Sequence, residues 1–199
     1  HPINQLSALS IDIGLLPCWK RLQMSVGDVS LKKLREQAIT DGLTGLLNRR
    51  AWTERAEALL ADARRHQQPL GLMMIDIDHF KRVNDDHGHA RGDQALQLVA
   101  RMLREQLRSG DLAGRYGGEE FCVLLTHTRE GPALSLDQRL RQCLRLESEQ
   151  ALGFVLEYSA GLAALGENDR TLDDLLRRAD DALYEAKRAG RAQVVLAAR

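Results

Sequence analysis

Residues 70–81, LGLMMIDIDHFK, join a long apolar stretch to two acidic residues. The nearly continuous apolar run over residues 70–77 predicts a central strand that is covered on both faces. Asp76 lies at the carboxyl end of this strand, where a buried carboxylate is costly unless it meets a cation or a hydrogen-bond donor. We therefore expect Asp76 to have a functional role. The alternative interpretation, a helix N-cap, fits Asp78 well and competes at Asp76.

Helical and strand patterns alternate on both sides of this central strand. The predicted helices cover residues 50–66, 80–84, 92–107, 136–149 and 172–189, and the further predicted strands cover residues 112–116, 119–126, 154–164 and 193–196. Gly117 and Gly118 join two of these strands as a hairpin. The alternation, with one hairpin, predicts an α/β or α+β fold with a mixed sheet.

The composition of the 199 residues is that of an ordinary globular protein, with 28 Lys and Arg residues against 28 Asp and Glu residues. This neutral balance disfavours proteins that bind nucleic acid or an anionic membrane through bulk charge. The longest apolar run, residues 69–75, is far shorter than the roughly 20 residues of a membrane-spanning helix. We expect no nucleic-acid partner and no membrane contact by this part of the chain.

The sequence contains three cysteines, Cys18, Cys122 and Cys143. They form no CxxC pair and no zinc-binding spacing, which predicts reduced thiols.

The first residues of the chain are organised differently from the rest. Residues 1–29 have no clear periodicity, so we interpret them as an upstream segment or linker. Ser30 fits the N-cap of a short helix over residues 30–40, which leads into the main domain and could pair with its copy in a dimer. We expect the main domain over residues 30–199. Because the sequence begins with His1 and not with Met, we expect it to be a processed or cut piece of a longer protein. The reduced thiols predict a cytoplasmic location, and the longer protein could carry a sensor or a membrane anchor.

The sequence Gly117-Gly118-Glu119-Glu120 is a second group of chemically useful residues. The two glycines allow a tight turn and let a ligand approach without a Cβ in the way. The two acids that follow place one carboxylate on each face of a strand, so one of them can join Asp76 around a metal ion. Hard carboxylate oxygens favour Mg²⁺ over zinc. Taken alone, the same four residues would favour an ordinary solvated hairpin.

Lys187 and Arg191 form a third group, four residues apart at the end of the last predicted helix. Helical register places the two cations on one face, where they can grip two phosphate oxygens. A cation near a helix C-terminus also stabilises the helix dipole. For either residue alone, the dipole is the simpler explanation.

Four ordered segments together resemble the GGDEF family, the diguanylate cyclases that make cyclic di-GMP from two GTP. The segments are DGLTGLLNRR at residues 41–50, residues 76–89, GGEEF at residues 117–121, and residues 179–191. The resemblance covers about residues 30–199 and rests on motifs in a fixed order. It implies a fold like a nucleotidyl-cyclase or polymerase palm, with a central, mostly antiparallel sheet flanked by helices.

The resemblance implies that Asp76, Glu119 and Glu120 are the catalytic residues and that the cofactor is Mg²⁺, with Mn²⁺ as an alternative. Asp76, the carbonyl of Ile77 and Glu119 would hold the metal. Glu120 would be a further metal ligand or the base for the 3′-hydroxyl of GTP. These roles follow from the family and not from the residue spacing.

The same resemblance implies a set of substrate contacts. The residues implied to bind the triphosphate are Lys81, Lys187, Arg191, the backbone near His79 and Phe80, and the open turn at Gly117 and Gly118. Asn84 and Asp93 would bind guanine. This last assignment makes chemical sense because guanine N1–H and N2–H₂ are donors, which suit the acceptor-only Asp93, while Asn84 both accepts and donates.

Arg108 and Asp111 lie at the offset before the GGEEF segment where the family carries its product-inhibition motif, RxxD. Arginine can bond guanine O6 and N7, while aspartate accepts from N1–H and N2–H₂. The alternative is an ordinary surface ion pair, worth about 0–1 kcal/mol. Arg139 is a weaker candidate for a secondary contact from another subunit.

The implied reaction is attack by the 3′-hydroxyl of one GTP on the α-phosphorus of another, with release of pyrophosphate. Each domain would hold one GTP, so a homodimer becomes a catalytic requirement, and cyclic di-GMP would act as product and inhibitor. Two alternatives stay open: a non-catalytic cyclic di-GMP receptor that uses only Arg108 and Asp111, and a cyclase of altered base specificity. The receptor is disfavoured because the site residues are all present, namely Asp76, Glu119, Glu120 and Lys187.

Overall fold

The computed structural model describes residues 39–198, and a six-stranded mixed sheet runs through the centre of them. In chain order the strands are β1 (Leu47–Asn48), β2 (Leu70–Ile77), β3 (Leu112–Arg115), β4 (Glu120–Thr126), β5 (Tyr158–Ala164) and β6 (Val194–Leu196). Their order across the sheet is β1-β3-β4-β2-β5-β6. The β2–β4, β2–β5 and β3–β4 pairs are antiparallel, while the β1–β3 and β5–β6 pairs are parallel. This mixed, mostly antiparallel sheet confirms the predicted fold class.

Helices cover both faces of the sheet. Within residues 39–198 they are α1 (Arg49–Arg65), α2 (Phe80–His87), α3 (His89–Gln106), α4 (Glu130–Leu152) and α5 (Leu172–Arg188). Alternate residues of β2 enter two separate cores. Met73 and Ile75 pack among residues of α3 and α4, whereas Leu72 and Met74 pack among residues of α1 and α5. This burial on both faces explains why the strand has an almost unbroken apolar sequence.

Helix α4 is longer than its sequence pattern predicts. The pattern predicts residues 136–149, whereas the helix extends over Glu130–Leu152. Pro132 lies in the first turn, where its missing N–H would have no partner in any case, so this proline does not prevent the helix from starting early. Gly153 closes the helix in a left-handed conformation with a φ of 79°. Strand β5 begins at Tyr158, later than the predicted start at residue 154.

Two short features of the chain also differ from the sequence prediction. The pattern predicts a loop between a helix that ends at residue 84 and one that begins near residue 92, but only Gly88 separates α2 from α3. The φ of Gly88 is 81°, a value that glycine adopts at no steric cost, so one residue turns the chain. Strand β1 is not predicted, because two residues are too few to show a periodicity.

Part of the predicted domain organisation lies outside the described residues. Residues 1–29, predicted as an upstream segment or linker, are outside them, as is most of the short helix predicted over residues 30–40. The domain boundary near residue 30 therefore stays a prediction. Within residues 39–198, no helix has the length and apolar character needed to cross a membrane.

Candidate active site

The carboxyl end of β2 meets the start of β4, and this junction gathers three acidic side chains. Asp76 is directly opposite Glu120 in the antiparallel register, so the two carboxylates leave the same face of the sheet. Strand β4 begins at Glu120, so Glu119 leaves from the preceding turn and not from a strand face as predicted. The Glu119 carbonyl accepts a hydrogen bond from the Ile77 N–H at 3.3 Å. The predicted metal-binding residues are therefore brought together at one end of the central strands.

Helix α5 brings a cation to this acidic junction. Lys187 Nζ lies 2.8 Å from Asp76 Oδ2. The helix approaches closely because Gly161 of β5 has no side chain: a Cβ there would overlap the backbone of Ala179 and Leu183. Burial raises the pKa of Asp76, while the hydrogen bond and the charge of Lys187 oppose that rise. Lys187 is thus the cation that the buried carboxylate requires.

The charges of Asp76 and Glu120 repel the Glu119 carboxylate, which suits the junction to a divalent cation. Burial raises the pKa of Glu119, and the negative charges of Asp76 and Glu120 raise it further against the opposing charge of Lys187. No group of three or more His, Cys, Asp or Glu side chains within residues 39–198 forms a ready-made metal cage. Mg²⁺ is usually held by one or two carboxylates together with substrate phosphates and water. A donor set built on Asp76 and Glu119 therefore fits Mg²⁺.

Asp78 holds the turn that follows α5, and the N-cap interpretation of this residue is wrong. Its Oδ1 accepts from the Ser159 hydroxyl at 2.7 Å, and its Oδ2 accepts from the Ala192 N–H at 2.9 Å. The N-cap of α2 is His79, which has a φ of 56° and makes no side-chain cap bond. Arg191 and Ala192 also have positive φ values, 64° and 47°, so Asp78 stabilises a strained turn. This turn leaves Arg191 Nε 4.0 Å from Asp78 Oδ1.

The two residues predicted to bind guanine both lie beside Gly92. A Cβ at Gly92 would overlap the amide oxygen of Asn84, so this amide packs directly against the backbone of α3. Asp93 follows Gly92 in the same helical turn and is exposed. The structure therefore brings the amide of Asn84, from α2, to the turn of α3 that carries Asp93.

The N-terminal end of α2 carries three of the residues predicted to bind phosphate. Phe80 begins the helix and is buried, whereas His79 and Lys81 are exposed. The first N–H groups of a helix have no partner within it and attract anions. Because only Asp78 and His79 separate β2 from α2, these N–H groups lie next to the acidic junction.

An ion pair that sequence analysis missed fixes the hairpin between β3 and β4. Arg115 donates to the Gly118 carbonyl from Nε at 3.1 Å and from Nη2 at 2.8 Å. Its Nη1 lies 3.2 Å from Asp41 Oδ1, which also accepts from the N–H and the hydroxyl of Thr44. Burial alone would raise the pKa of Asp41, but the bonds from Thr44 and Arg115 outweigh it and lower the pKa. In the sequence, only the family resemblance of residues 41–50 indicates that Asp41 has a functional or structural role.

Gly117 leaves room for the Glu120 side chain in this hairpin turn. A Cβ at Gly117 would overlap the Glu120 carboxylate. The Glu120 carbonyl accepts from the N–H groups of Tyr116 and Gly117 at 2.8 and 3.2 Å. The Cβ position of Gly118 has no other heavy atom within 4 Å, so the turn is open there. The predicted glycine hairpin is confirmed by the antiparallel pairing of β3 with β4.

A second candidate site lies at the opposite end of β4. Arg108, Asp111 and Arg139 line a cavity of about 560 Å³ there. Asp111 accepts from the N–H of Arg108 at 3.1 Å and from the N–H of Thr126 at 3.0 Å. Arg139 Nε donates to Gln106 Oε1 at 2.7 Å. Arg139, predicted as a contact from another subunit, thus lines this cavity in its own chain.

Known proteins match the chain over most of its length. Residues 38–193 match the family described as "Diguanylate cyclase, GGDEF domain". The chain is 44% identical over 169 residues to diguanylate cyclase DgcP of Pseudomonas aeruginosa, and the alignment covers 84% of this chain and 25% of DgcP. The chain spans a fifth to about half of the length of the curated relatives it matches.

Solved structures of GGDEF and GGEEF domains have the same fold as this chain. The coiled coil and GGDEF domain of DgcB from Caulobacter crescentus, in complex with c-di-GMP, has a TM-score of 0.79 and 30% identity, covering 89% of this chain and 98% of that one. The active GGEEF domain of a diguanylate cyclase from Vibrio cholerae has a TM-score of 0.73 and 35% identity, covering 77% and 99%. The family match over residues 38–193 and the identity with DgcP show that the chain belongs to the GGDEF family of diguanylate cyclase domains.

Proposed function

We propose that this domain is a diguanylate cyclase, which condenses two GTP into cyclic di-GMP and two pyrophosphates. The observation that carries the proposal is the contact of Lys187 with the buried Asp76 carboxylate, beside the repelling acids of the hairpin. A buried carboxylate held by a cation next to further acids is costly for folding but useful for binding a metal and a phosphate chain. The names of DgcP and of the V. cholerae domain support the same activity.

The acidic junction would hold Mg²⁺, with Mn²⁺ as an alternative, through Asp76, the Ile77 carbonyl and Glu119. When bound, the metal supplies charge neutralisation at the reacting phosphate and hydroxyl oxygens. Glu120 would be a further ligand or would accept the proton of the 3′-hydroxyl. Lys187 supports this arrangement because it partly offsets the effect of burial on the pKa of Asp76 and stabilises the charged carboxylate.

The remaining side chains would orient the substrate. Lys187 and Arg191 would bind phosphate oxygens, and Asp78 keeps Arg191 in place by stabilising the strained turn after α5. Asn84 and Asp93 would bind the edge of guanine, where Asp93 accepts from N1–H and N2–H₂. The main task of these residues is to align the 3′-hydroxyl of one GTP with the α-phosphorus of another.

Each domain would hold one GTP, so we infer that two domains face each other in a catalytic homodimer. The helix predicted over residues 30–40 is the segment that we expect to pair the two copies. We also infer a cytoplasmic location, because GTP is an intracellular nucleotide and because Cys122 and Cys143 are free thiols.

The cavity lined by Arg108, Asp111 and Arg139 would bind cyclic di-GMP as a feedback inhibitor. Its guanidinium and carboxylate groups match the acceptors and donors of guanine. The DgcB domain of known structure binds c-di-GMP, which supports this inference. The same cavity is also what favours the second candidate function, a receptor that binds cyclic di-GMP without making it. A receptor leaves the contact between Lys187 and Asp76 without a role.

Incubation of the purified protein with GTP and Mg²⁺, followed by identification of the products by mass, separates these functions. A cyclase releases cyclic di-GMP and pyrophosphate, and it does so from GTP but not from ATP. A receptor binds added cyclic di-GMP and leaves GTP intact. Lys187→Met keeps most of the length of the side chain and removes its charge. The variant should therefore lose turnover and still bind cyclic di-GMP at the opposite end of β4.

A further inference from the structure

Two buried aspartate–arginine pairs hold β5, one at each end of the strand. At its first residue, Arg141 Nη1 donates to the Tyr158 carbonyl at 2.6 Å, while Arg141 Nε pairs with Asp137 at 2.7 Å. The Tyr158 hydroxyl donates to the same carboxylate at 2.8 Å, and the guanidinium lies 4.1 Å from the centre of the Tyr158 ring. Asp137 is only 1% exposed. We call these three residues the proximal clamp.

The other end of β5 carries a pair with the same chemistry. Arg178 Nη1 donates to the carbonyl of Ala164, the last residue of the strand, at 3.0 Å. It also pairs with Asp169, which is 3% exposed. We call Asp169 and Arg178 the distal clamp. The two clamps are separated by the seven residues of β5, or about 20 Å of extended chain.

Only the proximal clamp lies beside the predicted metal-binding residues. Tyr158 is paired with Ile77 in the antiparallel register of β5 and β2. The Asp78 N–H donates to the Glu157 carbonyl at 2.9 Å, and the Ser159 hydroxyl donates to the Asp78 carboxylate at 2.7 Å. The first residues of β5 therefore set the position of the backbone at the end of β2. Ala164, in the distal clamp, is instead paired with the opposite end of β2.

The chemistry of the proximal clamp suits positioning better than stabilisation. A buried ion pair adds little net stability, because desolvation of the two charges offsets their attraction. The guanidinium of Arg141 is a rigid, planar donor, and here it fixes a carboxylate on α4 and a carbonyl on β5 at once. Mutation of residues that orient metal ligands without binding the metal typically changes the metal affinity or the activity about 10- to 100-fold.

We propose that Asp137, Arg141 and Tyr158 are positioning residues that hold the end of β2 in the geometry needed for Mg²⁺ and GTP. The proposal rests on the cyclase function proposed above. The three residues act through the backbone of Ile77 and Asp78, so loss of the proximal clamp should raise the Mg²⁺ requirement for nucleotide binding. Loss of the distal clamp should not.

The variants Asp137→Asn and Asp169→Asn form a matched test, because each removes one carboxylate charge from one clamp. Both should lower the midpoint of thermal unfolding. Calorimetry then measures binding of a GTP analogue that resists cleavage between the α- and β-phosphates, across a series of Mg²⁺ concentrations. Asp137→Asn should raise the Mg²⁺ concentration for half-maximal binding about tenfold, whereas Asp169→Asn should keep the parent value.

Tyr158→Phe keeps the ion pair and the aromatic ring and removes only the hydroxyl. This variant tests the positioning role if Asp137→Asn does not fold. It should raise the same Mg²⁺ requirement by a smaller factor. Equal shifts for Asp137→Asn and Asp169→Asn overturn the proposal, as does an unchanged requirement in Tyr158→Phe. A parent protein that makes no cyclic di-GMP overturns the proposed function instead, so the two failures are distinguishable.

Discussion

Lys187 Nζ and Asp76 Oδ2 lie 2.8 Å apart, so the last helix of the domain reaches directly to the end of its central strand. Burial raises the pKa of Asp76, and Lys187 partly counteracts that rise by stabilising the charged carboxylate where the metal would bind. Helix α5 can reach this place because Gly161 lets it approach β5 closely. A cation at the end of α5 therefore does more than complement the helix dipole.

Glu119→Gln should abolish cyclase activity while the domain stays folded. Asp76 and Glu120 repel the Glu119 carboxylate, so its neutralisation removes a metal ligand and also relieves repulsion. We expect turnover to fall about 100-fold or more, with an unchanged or higher unfolding midpoint in the absence of metal. Product formation and thermal unfolding measure the two effects. A variant that makes cyclic di-GMP near the parent rate would reject Glu119 as a metal ligand.

The same carboxylates predict how stability depends on pH without metal. Folding raises the pKa values of Asp76 and Glu119. At a pH between the ordinary pKa and the raised pKa of such a group, the folded state therefore binds more protons than the unfolded state. The contribution of these groups to the free energy of unfolding therefore grows as pH falls through the raised pKa. Denaturant titrations measure the free energy of unfolding at about pH 7 and about pH 5. This free energy should increase more from the higher to the lower pH in the parent than in Glu119→Gln. An equal gain in both proteins would contradict the raised pKa of Glu119.

The local sequence pattern is sufficient to predict β2 and the acid at its end, because an eight-residue apolar run needs no knowledge of the rest of the chain. The partners of Asp78 are different: Ser159 and Ala192 lie 81 and 114 residues further along the chain. No periodicity links such distant positions, so the local pattern favours the N-cap interpretation, which is wrong. The same reason hides the ion pair between Asp41 and Arg115, whose residues are 74 positions apart.

Asp93→Ala should weaken binding of GTP more than binding of ATP. The carboxylate is predicted to accept from N1–H and N2–H₂ of guanine, a pair of donors that adenine lacks. Loss of a charged acceptor for these donors should lower GTP affinity about tenfold or more. Asp86→Ala is the matched control, because it removes an acid of α2 whose side chain is 58% exposed and paired with Arg82. Calorimetry with non-hydrolysable analogues measures both affinities, and an equal loss for the two nucleotides would reject the guanine role.

Arg108→Ala should keep substrate turnover and relieve inhibition by cyclic di-GMP. The backbone N–H of Arg108 makes the bond to Asp111, so removal of the side chain leaves that bond in place. Loss of a bidentate, charge-assisted contact should lower product affinity about 10- to 150-fold, or roughly 1.5–3 kcal/mol. Titrations with cyclic di-GMP, by calorimetry and by initial rate, measure the effect.

The control for this prediction is Arg177→Ala, which removes an exposed arginine paired with Asp174 on α5. It should bind product and be inhibited like the parent. Should Arg108→Ala also bind product and be inhibited like the parent, the cavity beside Asp111 is not the inhibitory site.

The rate of cyclic di-GMP formation per domain, measured across protein concentrations together with sedimentation, tests whether two facing domains make the product. Each domain is proposed to hold one GTP, so only two facing domains complete the reaction. Specific activity should therefore rise with protein concentration and level off when association saturates. A concentration-independent rate from a proven monomer would exclude the two-domain mechanism, and the absence of cyclic di-GMP at every concentration would exclude the cyclase function.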